Sequence, residues 1–324
     1  MLRKLSTAAL VAFALGLPAS ASAQTYPERP VRLVVPYAPG GGGGFVAQAL
    51  SDFLSEKWGQ RVYVDNKPGA GSALGIDLVA KSKPDGYSFI FMTSDGISVL
   101  PAVKPSVPYK VPEDFSFVAG VVTYSYSITA YGGLPYKTMG EMIAWAKANP
   151  GKIRFGSSGV GSGTHLTGEL IGRTAGIEMV HIPFNGAGPG VTAIVGGHID
   201  LLVSTPSVVV PHIEAGKVRS LATTDKDRHM NLPNVPTLVE AGLPALDVVG
   251  YYGVLAPTGT PEPILQRWRD GIQDALKDPK FTERMAQLGF KKSFLPGEDF
   301  KKFLVNDLER WKGIAKAGNI TVPE

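Results

Sequence analysis

The sequence predicts an α/β fold in two lobes, each a mainly parallel sheet flanked by helices. Three observations carry this. Short β-branched runs alternate with amphipathic segments from Val31 almost to the C-terminus, the pattern of parallel strands joined by covering helices. The chain has 324 residues, more than one typical domain holds. The alternation also breaks at two places, as it would where a chain passes from one lobe to another.

Taken in order, residues 31–36 read as a buried strand, followed by a glycine tract and a helical pattern over 45–58. A strand at 61–65 leads through the turn Pro68-Gly69-Ala70-Gly71 to a helix near 73–81, and Pro84-Asp85-Gly86 turns into a strand at 87–93. Further strands are expected near 153–157, 179–184, 199–204 and 219–223, with helices at 139–149, 164–175, 189–196 and 206–215. Residues 261–276, 279–288 and 296–317 read as helices opening at or near a proline, where its missing N–H costs little. The rhythm breaks at 117–131, which carries two successive extended patterns, and at 248–256, an isolated strand after turn-rich residues. Crossing at those points would divide the chain into a first lobe of 24–124 with 251–324 and a second of 125–250, with a cleft and a hinge between them.

Residues 1–23 have the features of an export signal. Arg3 and Lys4 precede an apolar run over 8–17, and Ala21-Ser22-Ala23 fits a small-residue cleavage site. That run is about ten residues, well short of the ~20 a transmembrane helix needs. Losing the segment takes the formal charge from +4 to +2. Basic residues are nowhere clustered beyond pairs such as Lys291-Lys292, so the concentrated basic face of a nucleic-acid binder is missing. There are no cysteines, which excludes disulfides, thiolate metal sites and cysteine nucleophiles.

Three glycine-bearing loops each follow an expected strand and open an expected helix: Pro39 to Gly44, Gly156 to Gly163, and Asn185 to Gly188. Glycine allows close backbone approach, and the free N–H groups of the following helix favour an anion. All three fall at carboxyl ends of strands, where open α/β sheets bind ligands. The nucleotide fingerprints fail: Gly216-Lys217 is followed by Val218, and Thr164 stands where G-x-G-x-x-G needs its last glycine. The loops hold no Lys or Arg, which phosphate usually recruits. A carboxylate held by backbone N–H groups and the hydroxyls of Thr93, Ser94, Ser157, Ser158, Ser162 and Thr164 fits better. No serine has the flanking glycines of a nucleophile elbow, and the five histidines show no H-x-x-x-H spacing. His165, at a helix start, is a ligand donor or a capping residue; His181, inside an apolar strand, reads as a core histidine. No catalytic set, metal or cofactor is predicted.

Several stretches are similar to one family: Tyr26-Pro-Glu-Arg-Pro-Val-Arg-Leu-Val-Val-Pro-Tyr-Ala-Pro-Gly-Gly-Gly42, Asp65-Asn-Lys-Pro-Gly-Ala-Gly71, Pro84-Asp-Gly-Tyr87, Thr164-His165-Leu166, His181-Ile-Pro183, Pro211-His-Ile-Glu-Ala-Gly-Lys217 and Glu240-Ala-Gly-Leu-Pro244. In order and along nearly the whole chain beyond the signal, they resemble the tripartite tricarboxylate transporter substrate-binding (Bug) family. The resemblance implies a periplasmic receptor with the type II periplasmic binding protein fold. Such a receptor closes on a small carboxylic acid, often through ordered waters, and delivers it to a membrane permease. A monomer suits that task. A sensory role toward a signalling partner is the alternative, and a periplasmic hydrolase or isomerase a more distant one.

Carried over by resemblance as ligand contacts are Tyr37, Ala38, Pro39, Gly40 and Gly41 of the first loop, Ser158, Ser162, Thr164 and His165 of the second, and Phe184, Asn185 and Ala187 of the third. Two departures stand out. Family members commonly have Thr-Asp where this chain has Gly43-Gly44, and often Asp-Asn where it has Ser204-Thr205. Ser204 is kept as a candidate contact. Losing both carboxylates argues against an ammonium-bearing ligand and for a dicarboxylate, with phthalate-type aromatic acids included. Tyr37, Phe45, Tyr124, Tyr126 and Phe184 are the candidate aromatic walls, with core packing the other reading of each.

Overall fold

The computed structural model describes residues 26–243 and 248–318. The expected signal segment, and Pro244 of the turn-rich region, lie outside the described residues. In chain order the elements are β1 (Val31–Val35), α1 (Gly42–Trp58), β2 (Val62–Asn66), α2 (Ala73–Ala80), β3 (Ser88–Thr93), α3 (Asp95–Val103), β4 (Phe115–Ser125) and β5 (Ser127–Tyr131). Then follow α4 (Met139–Ala148), β6 (Ile153–Ser157), α5 (Gly163–Ala175), β7 (Met179–Pro183), α6 (Ala187–Val195), β8 (Leu201–Ser204), α7 (Pro206–Glu214) and β9 (Val218–Thr223). The chain ends with β10 (Val249–Pro257), α8 (Glu262–Ala275), α9 (Pro279–Gln287), β11 (Lys291–Pro296) and α10 (Gly297–Gly318).

Two sheets result, ordered β11-β4-β10-β3-β1-β2 and β7-β6-β8-β5-β9. Their central strands are apolar on both faces, so each needs helices on both sides. Leu33, Phe89 and Phe91 bury toward one face of the first sheet, and Val34, Ile90 and Met92 toward the other. In the second sheet Leu201 and Val203 face one core while Leu202 faces another, with Ile194 and Val209.

The chain passes between the sheets twice. Only Tyr126 separates β4 from β5, and residues 224–248 lead from β9 back to β10. The crossings lie side by side. Tyr126 N–H donates to Thr224 Oγ1 (2.9 Å), Thr224 N–H to Tyr126 O (2.9 Å), and Thr224 Oγ1 to Val248 O (2.7 Å). These crossings explain why the sheets are mixed. The parallel strands of each sheet end at the seam between the lobes, so a strand arriving from the other lobe must start there and run back. Accordingly β5 is antiparallel to β8 and β9, and β10 to β3 and β4, while β1, β2 and β3 pair in parallel, as do β6, β7 and β8.

Two elements were not foreseen. The α3 helix contains Gly96 and Pro101, both of which interrupt a helical pattern. The β11 strand lies in a C-terminal region that reads as mainly helical and pairs with the edge of β4. Also, α1 begins at Gly42, three residues before the apolar periodicity, because the glycine tract itself forms the first turn. Among the described residues no helix is long and apolar enough to cross a membrane.

Candidate functional site

The carboxyl ends of the parallel strands in both sheets meet around one narrow cavity of about 40 Å³, open to solvent on one side. The first lobe contributes Tyr37, Gly41, Gly42, Gly43, Gly44, Thr93, Asp95 and Tyr252, the second Ser158, Ser162, Thr164, Ala187, Ser204 and Thr205, and Tyr126 of the crossing lies between.

The cavity is rich in neutral donors. Thr164 Oγ1 lies 2.8 Å from Ser158 Oγ and 2.9 Å from Ser162 Oγ, and accepts the Ser158 N–H at 2.9 Å. These bonds hold the second glycine loop over the start of α5. The N-termini of α1 and α6 have glycine at the capping position and no side-chain cap, so their first N–H groups remain unsatisfied by side chains. Ser204 Oγ is the sharpest feature: the residue is 1% exposed and this oxygen has no hydrogen-bond partner, a state that costs a protein about 1–3 kcal/mol. Among the described residues no lysine or arginine lines the cavity.

The candidate contacts separate into two groups. Tyr37, Gly41, Ser158, Ser162, Thr164, Ala187 and Ser204 line the cavity. Ala38, Pro39, Gly40 and Asn185 face the opposing lobe instead. Ala38 N–H donates to Asn185 O at 3.1 Å, and the Gly188 backbone packs on Pro39 and Gly40. Phe184 packs against Gly156 and Gly190. Ser94 Oγ is turned behind the wall, where it accepts the Tyr251 N–H at 3.2 Å. Of the candidate aromatic walls, Tyr37 and Tyr126 line the cavity, whereas Phe45, Tyr124 and Phe184 do not.

His165 is turned into the second lobe. Its Nδ1 accepts the Gly161 N–H at 3.1 Å, and its ring stacks on His181 with centroids 3.9 Å apart. His181 Nε2 lies 2.6 Å from Ser157 Oγ, but Ser157 is fully buried and outside the cavity lining, so the pair braces the loop. Burial pushes His165 down to about 4, and burial with repulsion from His165 pushes His181 down to about 3. Both rings are therefore neutral when folded, while an unfolded chain takes up protons near pH 6.5. Their contribution is complete above pH 6.5 and declines as pH falls toward 4. Thermal unfolding of the ligand-free protein should show a falling melting temperature over that interval, with a smaller fall in His181→Gln.

Sequence reasoning missed Tyr252 and Asp95. Tyr252 comes from the returning strand β10 and packs on the bare backbone of Gly43, where a Cβ would lie 2.6 Å from its ring. Asp95 opens α3 and puts a carboxylate in a cleft from which two had been subtracted. It is 8% exposed, and Tyr124 OH donates to Oδ1 at 3.0 Å and Tyr126 OH to Oδ2. The three successive polar residues Thr93-Ser94-Asp95 at a strand's carboxyl end were the available signal.

Comparison with known proteins agrees with this architecture. A family profile described as the tripartite tricarboxylate transporter family receptor matches residues 46–320. The structure of the periplasmic binding protein BugD superposes with a TM-score of 0.87 at 33% identity, over 91% of this chain and 99% of that one. Two Rhodopseudomonas palustris proteins are also similar. MatC with bound malate has a TM-score of 0.85 at 27% identity, covering 89% of this chain and 99% of that one. Rpa4515 with adipate has 0.88 at 28%, covering 91% and 99%.

Proposed function

Because the chain belongs to the tripartite tricarboxylate transporter receptor family, we propose that it captures a small carboxylic acid between its lobes and delivers it to a tripartite permease. Residues 24–124 with 251–324, and 125–250, are the two bodies that close. The observation that carries this reading is Ser204 Oγ, a buried hydroxyl without a partner at the wall of a cavity whose other polar groups, the Asp95 carboxylate apart, are hydroxyls and backbone N–H groups. A ligand oxygen satisfies it. The similar proteins with malate and adipate support carboxylates as the class. A dicarboxylate accounts for donors on both lobes, and Tyr37, Tyr126 and Tyr252 give an aromatic acid flat apolar surface. The N-terminal signal features support action in the periplasm, as a monomer free to diffuse to its permease.

The test is a thermal-shift screen over mono- and dicarboxylic acids, including malate, adipate and phthalate, since a ligand that binds only the folded form raises the melting temperature. At least one acid should raise it. Ser204→Ala should leave the ligand-free melting temperature unchanged or slightly higher, because it removes an unsatisfied group, and should weaken the best acid roughly tenfold, the equivalent of about 1.4 kcal/mol. A flat response to every acid would refute the receptor reading.

A further inference from the structure

The carboxylate of Asp95 has a setting that the capture of an acid must contend with. It lines the cavity from the start of α3. From β4 and the crossing it receives the Tyr124 and Tyr126 hydroxyls, and the Gly163 backbone at the start of α5 in the opposite lobe packs against it. Tyr37 and Tyr252 face it as neutral phenols, held protonated by burial. On its own helix the neighbours are Ser94 and Ser98, and Ser98 Oγ donates to Asp307 of α10 at 2.6 Å. Among the groups that act on Asp95, the charged one is Asp307, and it repels. Among the described residues no lysine or arginine lines the cavity beside Asp95, Asp307 is itself paired with Arg310 at 2.9 Å, and the cavity is narrow enough to hold a ligand close to the Asp95 carboxylate.

Resting on the receptor reading above, we propose that Asp95 is the specificity-determining residue of the cleft, admitting a ligand carboxylate only together with one proton from solvent. Two carboxylates confined at short range cannot both stay ionised, and one proton comes to be shared between them. Burial already pushes the Asp95 carboxyl up to about 6 in the empty cleft, and a second anion pushes it further in the same direction. The proton is taken from bulk water on binding and returned on release. Capture is therefore tighter in acid and weaker in alkali, and a ligand with more negative charge is penalised more.

Calorimetric titration with adipate and malate between pH 6.5 and 8.5, above the ordinary carboxylic acid range, tests this in buffers of different ionisation enthalpy. The wild-type protein should take up close to one proton per ligand, and its Kd should rise by up to about tenfold per pH unit. Asp95→Asn keeps the size of the side chain and removes its charge; it should bind at least tenfold more tightly than wild type at pH 8 and show little pH dependence. The proton count needs no variant, so it decides the matter even if Asp95→Asn fails to fold. Binding without proton uptake, or an Asp95→Asn protein weaker than wild type throughout, would overturn the proposal and leave the receptor reading standing. Failure of every acid in the screen to bind wild type or variant would remove the receptor reading, and this proposal with it.

Discussion

Gly188→Ala should weaken acid capture by roughly 10- to 100-fold while leaving the unliganded protein as stable as before or more so. Gly188 sits in the first turn of α6, where alanine is favoured over glycine by up to about 1 kcal/mol. A Cβ there would lie 2.6 Å from Pro39 O, and its other close neighbours are Gly40 Cα and C. All three atoms are backbone of the opposite lobe, so the methyl disfavours the arrangement in which the lobes touch relative to one in which they stand apart. Forcing an extra methyl into a packed contact costs about 1–3 kcal/mol, and each 1.4 kcal/mol is about tenfold in affinity. Titration with the best acid, beside a thermal melt of the free protein, separates the two effects. Unchanged affinity would mean that the lobes do not meet at Pro39 and Gly188 in the bound state.

Trp268→Ala should have the opposite signature, a loss of about 3–5 kcal/mol in folding stability with ligand affinity preserved well below the new melting temperature. Trp268 is fully buried. Its ring lies 4.2 Å from that of Phe89 and 5.2 Å from that of Trp58, and its Nε1 donates to Tyr26 OH at 2.8 Å. These residues join α8, β3, α1 and the segment before β1 on one face of the first sheet. The variant leaves a large cavity behind and removes the donor to the Tyr26 oxygen, whose hydroxyl still donates to Gly86 O at 2.6 Å. Denaturant unfolding reads the loss directly; a change below 1 kcal/mol would show that the site collapses and refills.

The alternating pattern made the two sheets legible because each central strand is buried on both faces and therefore continuously apolar. Mixed strand direction was not legible, since it follows from the crossings at Tyr126 and at 224–248 and leaves no mark on periodicity. The three glycine loops were legible as strand-to-helix turns. Their division of labour was not: Gly41 to Gly44 line the cavity, whereas Gly40 and Gly188 form the contact between lobes. Both tasks require a bare backbone, so the sequence looks the same for either. Asp95 went unseen because a lone Asp before Gly96 has the look of a turn, and only the approach of Tyr124, Tyr126 and Gly163 from elsewhere in the chain gives it a role.

The pairing of Tyr126 with Thr224, and of Thr224 with Val248, has a mechanical consequence. Two connectors fastened to each other at one spot act as a single axle rather than two independent springs. Sliding of one body past the other would tear those bonds, whereas swinging about them would not. Under the proposed closure, an empty and an occupied receptor should therefore differ chiefly in a single angle, which any apparatus gripping both bodies could measure.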